Sequence, residues 1–399
     1  MRIALVSQEY PPQTAQGGIG TQTWAKAHGL ARFDHDVSVI SHSVSGQRHE
    51  SDEGGVRLIR IPGLDGSMPL HTSEAWWLTY STAVAVELTS LHRRSPLDLV
   101  EFPEYGAEGF AWLLNRAEGG RVPAVVHLHG PLVMLAETIG WPAIDSEFYR
   151  VGTFMEGTCI RLADAVISSS QCSADWCARA YGIRRETIDV IHTGVDTEHF
   201  HPRNVDKADR PTIIFVGRVS ESKGVSDLVE AARRLALTIP GLRLRLIGRV
   251  ERSYSDWILG YGNSGGHDLV DIVGFVSRDE LPPHLSRAHV FAAPSHYEGG
   301  PGFVYLEAMA CGLPVVACSG SGASEIVLPG ENGVLVPPHD PDALTHALGE
   351  LLRDPVPRAA MGKRARAYAV ERADSRDCLS RLETFYRSVA ARAIGPGQE

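Results

Sequence analysis

TIIFVGRVSESKG, residues 212–224, decides the fold. An apolar run ends in Gly217, a loop carries Arg218 and Lys223 to Gly224, a helix-length segment follows, and a second apolar run, LRLRLIG, closes at 242–248. Apolar run, glycine turn, helix and apolar run make a βαβ unit whose strands are buried on both faces of a parallel sheet. Downstream the alternation continues through DLVDIVG (268–274), AHVFAAP (288–294), LPVVAC (313–318) and NGVLVP (332–337). Upstream, HFHPRNVDKADRP (199–211) is polar, contains proline and breaks the period. Before that break stand RIALVS (2–7), DVSVIS (36–41), VRLIRI (56–61), LDLVEF (97–102), AVVHLH (124–129), DAVISS (164–169) and IDVI (188–191). Helix-length stretches at 18–32, 72–93 and 144–162 separate several of them. The pattern predicts two doubly wound α/β domains, residues 1–200 and 201–374, followed by an amphipathic helix within 375–399. Such domains bind ligands at the carboxyl ends of their strands, so a central cleft between the two sheets is expected.

A chain of 399 residues fits this division. With 43% hydrophobic residues, 22% charged and a mean hydropathy of −0.09, it is neither disordered nor fibrous. Lys and Arg number 38 against 48 Asp and Glu, a net charge of −10. The first 200 residues hold 15 of those cations and 24 of the anions, so the acidic excess lies there. That balance argues against nucleic acid as a partner and against stable membrane association, both of which need a basic footprint. The six cysteines form no disulfide framework and no paired C-x-x-C knuckles. With no leader-like or spanning segment, a cytoplasmic location is expected.

Candidate chemistry gathers at turns that follow strands. Arg218 supplies a planar fork and Lys223 a point charge beside a helix start, a combination suited to a diphosphate. In PSHYEGGPGFVYLEAMACGLPVVA (294–317), the Gly and Pro residues bar Glu298 and Glu307 from sharing one helix. A helix beginning near Pro301 would free the amides of Gly302, Phe303 and Val304 for an anion. Glu307 would stand about two turns in, and an ion-paired helix carboxylate is its plain alternative. Near the amino end, QTAQGGIG places Gly17 and Gly18 at a helix start, where backbone can approach a phosphate or sugar. These glycines lie too far beyond the first strand for a dinucleotide fingerprint. His129 closes the AVVHLH strand, with His127 one pleat deeper on the same face. No cluster of His, Asp and Cys has metal-ligand spacing.

Together GGIG, HG after a middle strand, VIHTGVDTEHF (190–200), GRVSESKG and the Glu298–Glu307 segment resemble the retaining nucleotide-sugar glycosyltransferases of glycosyltransferase family four. The resemblance implies a GT-B fold, two Rossmann-like domains facing a central cleft. It implies transfer of a hexose-type sugar from a nucleoside diphosphate-sugar to an acceptor hydroxyl on a small molecule or glycan, with no metal and no cofactor beyond the donor co-substrate. Arg218 and Lys223 would hold the diphosphate, assisted by Gly302, Phe303 and Val304, while Glu307 would take the ribose and Glu298 the transferred sugar. Gly17 and Gly18 would close over the phosphates, and His129 would touch the sugar from the acceptor side. The chain departs from the family pattern in placing eight residues between the two glutamates and in carrying Thr193 before Gly194. A sugar-nucleotide epimerase or a sugar phosphorylase on the same fold is the alternative.

Overall fold

The computed structural model describes residues 1–14, 18–63, 76–116, 122–264 and 268–394. The chain divides into two units, Met1–His192 with Cys378–Glu399, and Thr193–Asp377. The first unit is built on β1 (Arg2–Val6), β2 (Asp36–His42), β3 (His49–Glu53), β4 (Val56–Ile61), β5 (Leu99–Pro103), β6 (Ala124–Leu128), β7 (Ala165–Ser168) and β8 (Ile188–Val190). They form one sheet in the order β3-β4-β2-β1-β5-β6-β7-β8. Every neighbouring pair is parallel except β3 with β4, an antiparallel edge. Strands β5 and β6 are buried at every position, which explains why they read as unbroken apolar runs. The final helix, Ser375–Ile394, seats Leu382, Tyr386 and Val389 in the core of this unit at helical spacing.

The second unit holds β9 (Thr212–Val216), β10 (Arg243–Ile247), β11 (Val270–Gly274), β12 (Val290–Ala293), β13 (Val315–Cys318) and β14 (Gly333–Val336). Their order is β11-β10-β9-β12-β13-β14, parallel throughout. The helix Val225–Ala236 buries Val225, Leu228, Val229, Ala232 and Leu235, a stripe that fixes which face meets the sheet. Strand order reverses between β9 and β12, so the loops leaving these two strands diverge and open a crevice at their carboxyl ends. Residues 193–200, assigned to the first domain by the polar break after them, pack here instead. Val195 and Phe200 are buried in this core, and Val195 pairs with Asp374. Among the described residues no helix is long and apolar enough to cross a membrane.

Candidate active site

At the reversal point of the second unit, β9 is followed by Gly217 and β12 by Pro294. Arg218 follows Gly217 at the surface and carries no ion pair among the described residues. The chain then makes a single 3-10 turn, Glu221–Lys223, and reaches Gly224 at φ 67° before the helix Val225–Ala236. A Cβ on Gly224 would stand 1.9 Å from the carbonyl oxygen of Pro294, so only glycine allows both the left-handed turn and the close approach of the two loops. Lys223 is therefore held at the junction of both loops. Its Nζ is 2.7 Å from Glu298 Oε1.

The second anchor is the helix Phe303–Ala310. It starts two residues after Pro301 because Gly302 adopts φ 76° and serves as the cap residue, which corrects the expected start. Tyr305, fully buried, donates from its hydroxyl to Ala293 O at 2.5 Å and ties this helix to the end of β12. Glu298 Oε2 lies 3.9 Å from the point where a Cβ on Gly302 would stand. The Glu298 carboxylate thus bridges the Lys223 ammonium and the amino end of the helix, where the first amides have no intrahelical acceptor.

Glu307 sits inside that helix with 5% exposure, and Arg278 Nη2 is 3.4 Å from its Oε1. Burial pushes the Glu307 carboxyl up, opposed by the charges of Arg278 and His199. Arg278 also stacks over Phe200 at 5.1 Å, and its buried Nε has no partner, leaving a donor beside Glu307. Arg278 and His199 were not singled out in the sequence, because a lone Arg in a loop has no distinguishing spacing. Arg249 was missed likewise, although it follows Gly248 as Arg218 follows Gly217, and Val219 N donates to its carbonyl at 2.9 Å. Asp227, His296 and His339, also unmarked by spacing, converge beside the Glu298 loop.

In the first unit, His129 follows β6 and stacks on His127, ring centroids 4.5 Å apart. Burial, with His127 and Lys26 adding to it, holds the His129 imidazole well below its ordinary range, so it serves as a neutral donor or acceptor. His127 is buried beneath it, 2.9 Å from Lys26 Nζ and 3.1 Å from Ser169 Oγ. Gly18 is the exposed first residue of the helix Gly18–Arg32. Gly17 lies outside the described residues. The amides of His129 and Gly130 donate to Glu104 Oε1 at 2.6 and 2.5 Å, which fixes the turn after β6.

Glu104 has a pH signature. Burial pushes its carboxyl up from 4.5 to about 7, against the pull of the Gly130 and His129 amides. Between those values the folded chain keeps a proton that the unfolded chain has lost, so this group's contribution to stability falls as pH rises. The window corresponds to at most about 3.5 kcal/mol, at about 1.4 kcal/mol per pH unit. Glu104→Gln keeps an oxygen for both amides and cannot ionise. Urea unfolding at about pH 5.5 and about pH 8 should show a pH-dependent loss in the parent that is smaller by roughly 2 kcal/mol in the variant. Parallel losses in the two proteins would refute the assignment.

Residues 196–368 match the family of glycosyl transferases group 1, and residues 16–199 match Glycosyltransferase Family 4. The chain is 30% identical to a glycogen synthase of Mycobacterium tuberculosis over 92% of its own length and 89% of that protein's. It is 29% identical to a GDP-mannose-dependent alpha-(1-6)-phosphatidylinositol monomannoside mannosyltransferase of Mycolicibacterium smegmatis, over 92% and 94% of the two chains. Sucrose-phosphate synthase from Thermosynechococcus elongatus has the same fold, with TM-score 0.82, 23% identity and coverage of 98% and 99%. HepE of Anabaena, solved in complex with UDP-glucose, superimposes with TM-score 0.75 at 21% identity over 97% and 100% of the chains. With Rossmann-like parallel sheets in both units and a cationic turn at the reversal point of the second, this chain belongs to the GT-B glycosyltransferases of family 4.

Proposed function

We propose that the chain transfers a hexose-type sugar from a nucleoside diphosphate to an acceptor hydroxyl with retention at the anomeric carbon, and without a metal in the reaction. The observation that carries this reading is the contact of Lys223 with Glu298 beside the amino end of the helix Phe303–Ala310. Arg218, Lys223 and the amides of Gly302, Phe303 and Val304 supply positive charge where the departing diphosphate accumulates negative charge. Glu307 and Arg278 hold the ribose end and Glu298 the transferred sugar. Two relatives support a hexose donor by name, one GDP-mannose-dependent and one bound to UDP-glucose.

Retention by double displacement needs a carboxylate nucleophile and an acid about 5 Å apart across the scissile bond. Here Glu298 is paired with Lys223, and Glu307 is buried against Arg278. Neither is free to attack. In front-face substitution the bond from the anomeric carbon to the phosphate oxygen breaks as the acceptor oxygen bonds on the same face. The acceptor proton passes to the departing phosphate oxygen.

The acceptor is a small molecule or glycan. The relatives named above carry different acceptors in their names, so this reading rests on the resemblance of the motifs alone. Proton NMR of the product formed from an α-configured donor tests the proposal: an α-linked product is expected, formed equally well in excess EDTA. An inverted product, free epimerised donor, sugar phosphate released by phosphorolysis, or turnover abolished by EDTA and restored by Mg²⁺ would each overturn it.

A further inference from the structure

We propose that Asp227, His296 and His339 form a binding site for a divalent transition ion of the zinc type, outside the donor-binding residues. Asp227 lies in the first turn of the helix Val225–Ala236, His296 in the loop after β12, and His339 in the loop between β14 and the helix Pro341–Arg353. Three separate segments therefore converge on one point. His296 Nε2 is 3.0 Å from Asp227 Oδ2, and one ligand atom from each residue lies within 4.8 Å of the others. Three ligands on a tetrahedral zinc ion, at about 2.0–2.2 Å each, stand about 3.3–3.6 Å apart. The His296–Asp227 contact is slightly shorter than that range and no spacing exceeds 4.8 Å, so side-chain rotations bring the three ligand atoms to it.

Two further features mark the cluster as built. The rings of His296 and His339 stand with centroids 3.6 Å apart and planes tilted by 40°, which brings two imidazoles together at the carboxylate. His339 also holds φ 58°, a left-handed backbone that is uncommon in residues other than glycine and sits in a turn where glycine would cost nothing. His296 is almost fully enclosed, with 5% side-chain exposure, while His339 is exposed and leaves a route for the ion. Two imidazoles and one carboxylate suit zinc and its neighbours in the first transition row and disfavour Mg²⁺, which prefers an all-oxygen shell.

His296 lies two residues before Glu298, and Asp227 lies one turn beyond Lys223. An ion here pins both loops to the β14 turn without touching the diphosphate. It strengthens the fold and takes no part in the reaction, and the assignment stands whether or not the donor reading holds.

The test uses the full chain stripped with chelator, dialysed and titrated with ZnCl₂, beside His339→Gly and Asp227→Asn. The parent should bind one zinc per chain that each variant weakens by about 100-fold or more, beyond the 10–100-fold typical of residues that only support a ligand. At zinc about 100-fold above its Kd the parent's Tm should rise by roughly 5–10 °C, and in the variants by much less. His339→Gly relieves the left-handed backbone, so its metal-free Tm should equal or exceed the parent's, which keeps a loss of binding distinct from a loss of fold. Equal zinc affinity in parent and variants, no saturable site in the parent, or an equal Tm rise with Mg²⁺ would overturn the proposal.

Discussion

Lys223→Ala and Arg218→Ala should each lower turnover by about 10²–10³, equivalent to roughly 2.7–4 kcal/mol of transition-state stabilisation. Both side chains meet solvent, Lys223 with 29% side-chain exposure, so the folded chain should survive with little change in unfolding midpoint. The Lys223–Glu298 contact allows a sharper comparison. If the ammonium served only to hold Glu298, Lys223→Ala and Glu298→Gln would lose the same activity and the double variant would lose no more. If Lys223 meets the departing phosphates directly, Lys223→Ala loses more than Glu298→Gln. The measurement is initial rate at saturating donor for the three variants. Parent-like turnover in either cation variant would remove the diphosphate assignment.

The central parallel strands were legible because they are buried on both faces and so appear as continuous apolar runs; the order of runs and helices then sufficed for two Rossmann-like sheets. β3 escaped because HESDE is mostly exposed at a sheet edge and is held by its backbone ladder with β4. The helix start expected near Pro301 falls at Phe303 for a similar reason: proline fixes its own φ, but Gly302 decides where helical geometry begins. In the site, sequence marked the charged residues next to turns but not their partners. Lys223 meets Glu298, Glu307 meets Arg278, and Asp227 meets two histidines, all across long chain separations that no local pattern encodes.

Whole-chain charge overstates the acidity of the first 200 residues for a related reason. The acidic excess of the first 200 residues counts Glu104, Glu108 and Glu156 as ionised. Each has at most 1% exposure, and burial pushes their carboxyls to about 7, about 8 and well above the usual value. Near neutral pH the first 200 residues are therefore less acidic than the formal sum.

Lys26→Met should destabilise the first unit by about 3–5 kcal/mol, because it leaves one member of a buried ion pair without its partner. Lys26 Nζ contacts Glu101 Oε1 and stands 2.9 Å from His127 Nδ1, and Tyr386 on the last helix donates to the other Glu101 oxygen. Side-chain exposures of 5% and 7% leave water no route to replace the ammonium. Burial alone pushes the Glu101 carboxyl up, but the pull of Lys26 and His127 outweighs it and keeps the group well below its ordinary range. Without Lys26 that balance reverses, and Glu101 enters the fold most readily with a proton. The parent loses the pair's contribution as pH falls towards the depressed carboxyl, whereas the variant is penalised at high pH. Their stabilities should therefore converge in acid and differ most near neutrality, where the gap corresponds to roughly 6–20 °C in Tm. Adding Glu101→Gln to Lys26→Met removes the stranded charge and should restore most of the loss. A double variant as unstable as the single one would show that Lys26 acts through packing rather than charge.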